Sequence, residues 1–299
     1  MEHTDNSLSY DDTTIESLTD RFTALRAQEC YYMPQDYLTC IRKEDLEEGK
    51  KIVDEKCRYT MAKWSYRILE FSDISSEICS TVMNNLDRFM STEYGDFAIY
   101  DRHWFQLAVV CSLQIAIKVN KSCKLDMSTL IQIGKGAYNE SDIIDMEREL
   151  AFGLEWRLCP PTAYNFTELL LDLLPHAAPR ALKKAILKLA KKQLYLATLQ
   201  YQFIKIKPSL IAFASMLNAM SKIKHFPRNF RNIFIYNVNT IAGMQYCENI
   251  IHPIRYELHK ILSNEMEQNE DTSNSRDCSS EQNSPVCVRQ SVERHFDFK

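Results

Sequence analysis

The sequence predicts an all-α protein: two tandem five-helix bundles with flexible termini. Three observations carry that expectation. Breakers are scarce, with 6 Gly and 9 Pro in 299 residues, too few for a turn-rich all-β fold. Apolar residues recur at i, i+3, i+4 spacing in helix-length blocks. Those blocks fall into two series on either side of Cys159, Pro160 and Pro161, a link that breaks helices.

In the first series, a helix over 51–71 carries Met61, Trp64, Ile68 and Phe71 on one stripe. Asp73 is placed to cap the next, 74–91, whose stripe is Ile74, Ile78, Val82, Leu86 and Phe89. The third, 101–119, is apolar almost all round and so needs neighbours on every side. A short fourth starts near Asp126 and stops at Gly134. The fifth, 139–156, is expected to end at the proline pair.

The second series runs 162–174, 179–199, 208–222, 227–240 and 243–262. Pro208 suits the first turn of its helix. The 208–222 helix matches 101–119 in character. Ala212, Ser215 and Ala219 give it a narrow side, as Ala108, Ser112 and Ala116 do in the earlier one. Pattern alone also allows one irregular helical domain of about ten helices. The folded part is expected to span 25–263, divided into lobes 25–159 and 160–263. A flexible arm over 1–24 and a disordered polar tail over 264–299 flank it, both rich in Ser, Asp, Asn or Glu.

Composition narrows function. Hydrophobic residues make up 45%, enough for a core. The net charge is −4, from 36 basic and 40 acidic residues. That balance points to neither nucleic acid nor a membrane surface as partner. The longest apolar stretch, 104–119, is interrupted by Gln106, Ser112 and Gln114 and is shorter than the ~20 residues of a span. None of the ten cysteines sits at CxxC spacing, which argues against a zinc ribbon or redox pair. Residues 1–10 are polar and acidic, unlike a signal peptide. A reduced nuclear or cytoplasmic setting is expected.

No phosphate loop, nucleophile elbow or HExxH pair occurs. His252 and His259 lie two turns apart and read as an ordinary surface or core pair. Glu147 and Glu149 point to different helix faces, which suits solvation. No cofactor or metal is expected, and a binding role is favoured over catalysis.

Five residues on different parts of the first bundle then stand together: Arg58, Asp87, Leu107, Lys118 and Glu147. Taken singly, each reads as a solvated charge or a core residue. With Trp64, the run Leu86-Asp87-Arg88-Phe89-Met90-Ser91, Ala116-Ile117-Lys118, Met146-Glu147, Leu150, Leu158 and Pro161-Thr162, the stretch 58–162 resembles the first half of the cyclin box. Pro208-Ser209-Leu210-Ile211-Ala212 is similar to its second half.

The resemblance implies two tandem cyclin-fold lobes and a regulatory subunit that docks on a cyclin-dependent protein kinase in cell-cycle control. It implies that Arg58 and Asp87 form an internal ion pair and that Leu107 is core. It implies that Lys118 and Glu147 reach the kinase, surrounded by Ile115, Val119, Ala151, Trp156 and Leu158. Cys57, Thr60, Met61, Trp64, Phe105 and Gln106 correspond to a groove that recruits short-motif substrates or inhibitors. Arg67 stands there in place of an acidic residue, and Asn120 and Lys121 stand where the family commonly has two acids. No RxxL or KEN element occurs in the arm, and Ser284-Pro285 is a minimal proline-directed phosphosite. A cyclin-fold transcription factor, or a scaffold without a kinase, is the alternative.

Overall fold

A computed structural model describes residues 12–39, 52–120, 126–245 and 247–274, with side-chain environments through 265. Among them there are helices and no strand. The first lobe comprises α2 (Glu55–Phe71), α3 (Ile78–Phe89), α4 (Arg102–Val119), α5 (Met127–Ile133) and α6 (Glu140–Gly153). The second comprises α7 (Ala163–Asp172), α8 (Arg180–Leu199), α9 (Pro208–Lys222), α10 (Arg228–Thr240) and α11 (Glu248–Asn274). Each lobe is built around one buried helix. Every residue of α4 from Phe105 to Ile117 is buried. In α9 the same holds for Ser209 and for Ile211 through Met220. The small residues on both helices are fully enclosed, so neighbouring backbones can approach closely. Among the described residues no helix is long and apolar enough to cross a membrane.

Local chemistry sets the helix starts. Asp54, Asp101 and Asp126 accept from the amides of Cys57, His103 and Thr129. Asn139 with Asp142, and Thr162 with Asn165, form reciprocal capping boxes. Pro208 opens α9 as expected.

Four expectations change. Asp73 caps nothing forward. It sits at φ 54° and closes α2, with the amides of Asp73 and Ile74 donating to the carbonyls of Glu70 and Leu69. Next, α6 stops at Gly153, well before the prolines, because Glu155 and Trp156 both turn left-handed, at φ 50° and 59°. Third, the flexible arm is in part a helix. α1 (Asp12–Glu29) buries Leu18 and Phe22 in the second-lobe core, with Ile15 and Leu25 packed against it. The expected polar tail changes likewise, because α11 continues through Asn274.

Two hydrogen-bonded anchors hold α1. The Arg26 guanidinium donates to the carbonyl oxygens of Ala242 and Gly243, at 3.2 and 2.6 Å. Gly243 lies at φ 60°, and a Cβ there would stand 3.2 Å from that guanidinium, so the α10–α11 turn needs glycine. At the other end, the buried Glu29 carboxylate accepts from Ser209 N and Oγ at 3.0 and 2.8 Å. Lys207, at the N-cap of α9, offers no side-chain cap, so Glu29 caps that helix from a distance in sequence.

Burial pushes the Glu29 carboxyl above its ordinary value, against the lowering effects of Ser209, Lys207 and Arg26. A raised folded value means that this group's contribution is largest below the unfolded value. That contribution falls as pH rises through the folded value. Relative to Glu29→Gln, which keeps an acceptor oxygen, the wild-type chain should therefore lose stability between the ordinary glutamate range and neutral pH. Urea midpoints of both proteins across that range measure this. A difference that grows in the wild type's favour would contradict it.

Candidate functional site

The Arg58–Asp87 pair lies on the first-lobe side of the lobe junction. Arg58 comes from α2 and Asp87 from α3, both buried. Arg58 Nε and Nη2 donate to Asp87 Oδ1 and Oδ2 at 2.8 and 2.7 Å, a two-pronged contact. Its Nη1 donates to the carbonyls of Thr198 and Leu199 at 3.1 and 3.2 Å. Those belong to the last turn of α8, where carbonyls lack helical partners and attract a cation. Tyr37 donates its hydroxyl to Asp87 Oδ1 at 3.1 Å. Tyr201 packs edge-on against Tyr37 and lies under the guanidinium. Burial opposes the charge on Arg58, but Asp87 outweighs it and the guanidinium is held more firmly protonated than usual. The pair therefore ties the lobes together as well as α2 to α3, a role sequence reasoning missed. Nothing in the spacing of Arg58 shows that α8 ends against it.

On the outer side of the first lobe, Lys118 from the last turn of α4 meets Glu147 from α6. Their Nζ–Oε1 distance is 2.6 Å, with the side chains 41% and 27% exposed. A pair this open is worth about 0–1 kcal/mol to the fold. Leu107 is fully buried, as expected. The expected apolar surround is redistributed. Ile115 and Ala151 are buried in the lobe, and Val119 and Leu158 are half-buried. Ile115 and Val119 face inward because α4 is enclosed by its neighbours. Only Trp156, at 68%, stands open. The open apolar surface also includes Ile144 at 49% and Phe152 at 51%, the latter edge-on to Trp156 at 6.2 Å.

The loop that presents Trp156 is held from behind by α3. Asn85 Nδ2 donates to Leu158 O at 3.0 Å, and Arg88 Nη1 donates to Arg157 O at 2.7 Å. Burial pulls the Arg88 guanidinium down to about 10, and the Tyr32 ring lies 4.6 Å from it. Trp156 N closes the loop onto Ala151 O at 2.9 Å. Two consecutive left-handed non-glycine residues cost of order 1–3 kcal/mol each. They turn an indole outward where packing alone would bury it.

The six groove residues separate. Met61, Trp64 and Phe105 belong to the first-lobe core, and Gln106 is buried. Cys57 is half-buried. Thr60 is exposed, its hydroxyl donating to Lys56 O at 2.8 Å. Arg67 is exposed on the same helix. Of the six, only Cys57, Thr60 and the rim of Trp64 reach solvent. Asn120 caps α4, while Lys121 and Ser284 lie outside the described residues. His252 and His259 are both exposed. No group of three or more His, Cys, Asp or Glu among the described residues is placed to hold a metal.

The comparisons agree with this architecture. The family described as Cyclin, N-terminal domain matches residues 20–159, and Cyclin, C-terminal domain matches residues 161–290. G1/S-specific cyclin-D1 of Xenopus laevis is 28% identical over 205 residues, 68% of this chain and 65% of the relative. G2/mitotic-specific cyclin-2 of Medicago sativa is 27% identical over 196 residues, 66% of this chain and 56% of the relative. The chain thus spans less than two thirds of the length of these two relatives. Among solved structures, a viral cyclin from herpesvirus saimiri superposes with a TM-score of 0.58 at 14% identity. It covers 83% of this chain and 97% of the viral one, a likeness of fold. With both domains of one family matched in tandem and a five-helix lobe in place for each, the chain belongs to the cyclin-box family.

Proposed function

We propose that this chain is a regulatory subunit, not itself a catalyst, that binds and activates a cyclin-dependent protein kinase in cell-division control. The observation that carries the reading is the exposed Lys118–Glu147 pair beside an outward-held Trp156. The pair contributes little to the fold, so both side chains can exchange partners at small cost. Each can offer a charge-assisted bond worth roughly 1.5–3 kcal/mol to backbone groups of a partner. Kinase activity requires the β3 Lys–αC Glu ion pair to be assembled. A subunit that binds only the αC-in state shifts the population toward it by its differential affinity. The reading carries no phase of the cycle, since relatives with G1/S and G2/mitotic names match almost equally well.

The test is co-purification against a panel of cyclin-dependent kinases, with the double variant Lys118→Ala/Glu147→Ala beside the wild type. Kinase recovery and phosphorylation of a generic substrate should both fall, while the helical signal and melting temperature stay unchanged. Trp156→Ala should weaken binding by about 2 kcal/mol or more, as a central aromatic anchor does. Undiminished kinase recovery with the double variant would sink the reading.

A further inference from the structure

Charge is spread unevenly along this chain. Residues 160–263 carry 14 Lys and Arg against 4 Asp and Glu, whereas the remainder carries 22 against 36. From 173 to 247 there are 12 Lys and Arg and no Asp or Glu at all. The near-neutral total conceals two opposite fields.

The fold sorts these cations into two groups. Some are paired with carboxylates of the same chain: Lys191 bonds Glu77 and Glu168, and Lys205 pairs with Asp36 at 2.6 Å. Others face solvent without such a pairing. Arg180, Lys184, Lys188 and Lys192 recur every four residues along α8, and all four are exposed. Among the described residues none of them pairs with a carboxylate. Helices α8 and α9 pack side by side, with Gln193 donating to Ser215 O and Asn218 donating to Gln193 Oε1, both at 3.1 Å. Lys222 and Lys224, at the end of α9 and just beyond it, are exposed as well. Like charges four residues apart on a helix destabilise it, so this stripe is a cost that folding alone does not explain.

We infer that this face of the second lobe docks an acidic segment of a partner protein, an extended run rich in Asp and Glu. The stripe from Arg180 to Lys192 is about 18 Å long, with cations about 6 Å apart. An extended peptide advances about 3.3 Å per residue. Alternate residues thus fall at nearly the spacing of the cations, and about six residues cover the stripe. A nucleic-acid duplex fits less well. It overruns a stripe of this length and meets the rest of a molecule in which acids outnumber bases. The surface is remote in sequence from Lys118 and Glu147 and stands whether or not a kinase binds the first lobe.

Fluorescence anisotropy on the full chain tests this, with a labelled peptide of alternating Glu and Ser long enough to span the stripe. Its Gln-for-Glu counterpart and a labelled DNA duplex serve as comparison probes. The acidic peptide should bind, the Gln peptide should not, and affinity should fall as NaCl rises. The variant K184E/K188E/K192E should lose at least about tenfold in affinity. The variant K56E/K63E/K135E, which makes the same change in net charge elsewhere, should bind as the wild type does. Circular dichroism checks that both variants fold. Three results overturn the proposal: no binding of the acidic peptide, an equal loss in both variants, or tighter binding of the duplex at matched salt.

Discussion

Arg58→Ala is expected to destabilise the protein by about 3–5 kcal/mol, the range for removing one partner of a buried ion pair. Two losses combine. Asp87 is left buried with the Tyr37 hydroxyl as its remaining donor, and an uncompensated buried charge is the costly part. The carbonyls of Thr198 and Leu199 also lose the donor that closes the end of α8. The effect therefore reaches across the lobe junction. Urea denaturation of Arg58→Ala, Asp87→Ala and the double variant separates these contributions. The double variant should cost clearly less than the two single changes added together, because each single change strands the other partner. An additive cycle, or a loss below about 1 kcal/mol for Arg58→Ala, would show that the pair is not a clamp.

Phe22→Ala should cost about 3–5 kcal/mol, the range for emptying a buried aromatic site. Phe22 is fully enclosed in the second-lobe core, although it lies in a stretch whose composition suggests a loose arm. Were that stretch dispensable, the change would stay within about 0.5 kcal/mol, as surface substitutions do. Hydrogen exchange gives a second readout. Amides of α1 should lose protection in Phe22→Ala before those of α9, since Ile15 and Leu25 are only partly buried.

Helix positions were legible because periodicity reports burial directly. The apolar stripe of α3 and the nearly all-apolar α4 and α9 could be read from their residues. So could Pro208 at the first turn of α9. The helix of the arm was also legible in principle. Ile15, Leu18, Phe22 and Leu25 follow helical spacing, but the acidic and hydroxyl residues between them hid the stripe. The uneven charge was equally present in the sequence. It vanished when the balance was taken over all 299 residues and not lobe by lobe.

Other features were never in the pattern. Spacing placed Lys118 and Glu147 on separate helices but could not show them 2.6 Å apart. The resemblance placed Trp64, Met61 and Phe105 at a groove, but all three pack into the first-lobe core. The left-handed turn at Glu155 and Trp156 violates local preference. Contacts from α3 behind the loop, together with the bond from Trp156 N to Ala151 O, hold it.

The sequence by itself determined the fold class, the order of ten helices and the membership of Arg58, Asp87, Lys118 and Glu147 in one constellation. The first two follow from periodicity and residue type, which are local, and the constellation from the resemblance of the stretch to the cyclin box. The tertiary structure decided that Arg58 joins the lobes, that α1 belongs to the core, and that Trp156 faces outward. It also decided that the α8 cations line one exposed stripe. Each of these depends on which distant backbone comes to lie alongside, and no property of the residue alone encodes that.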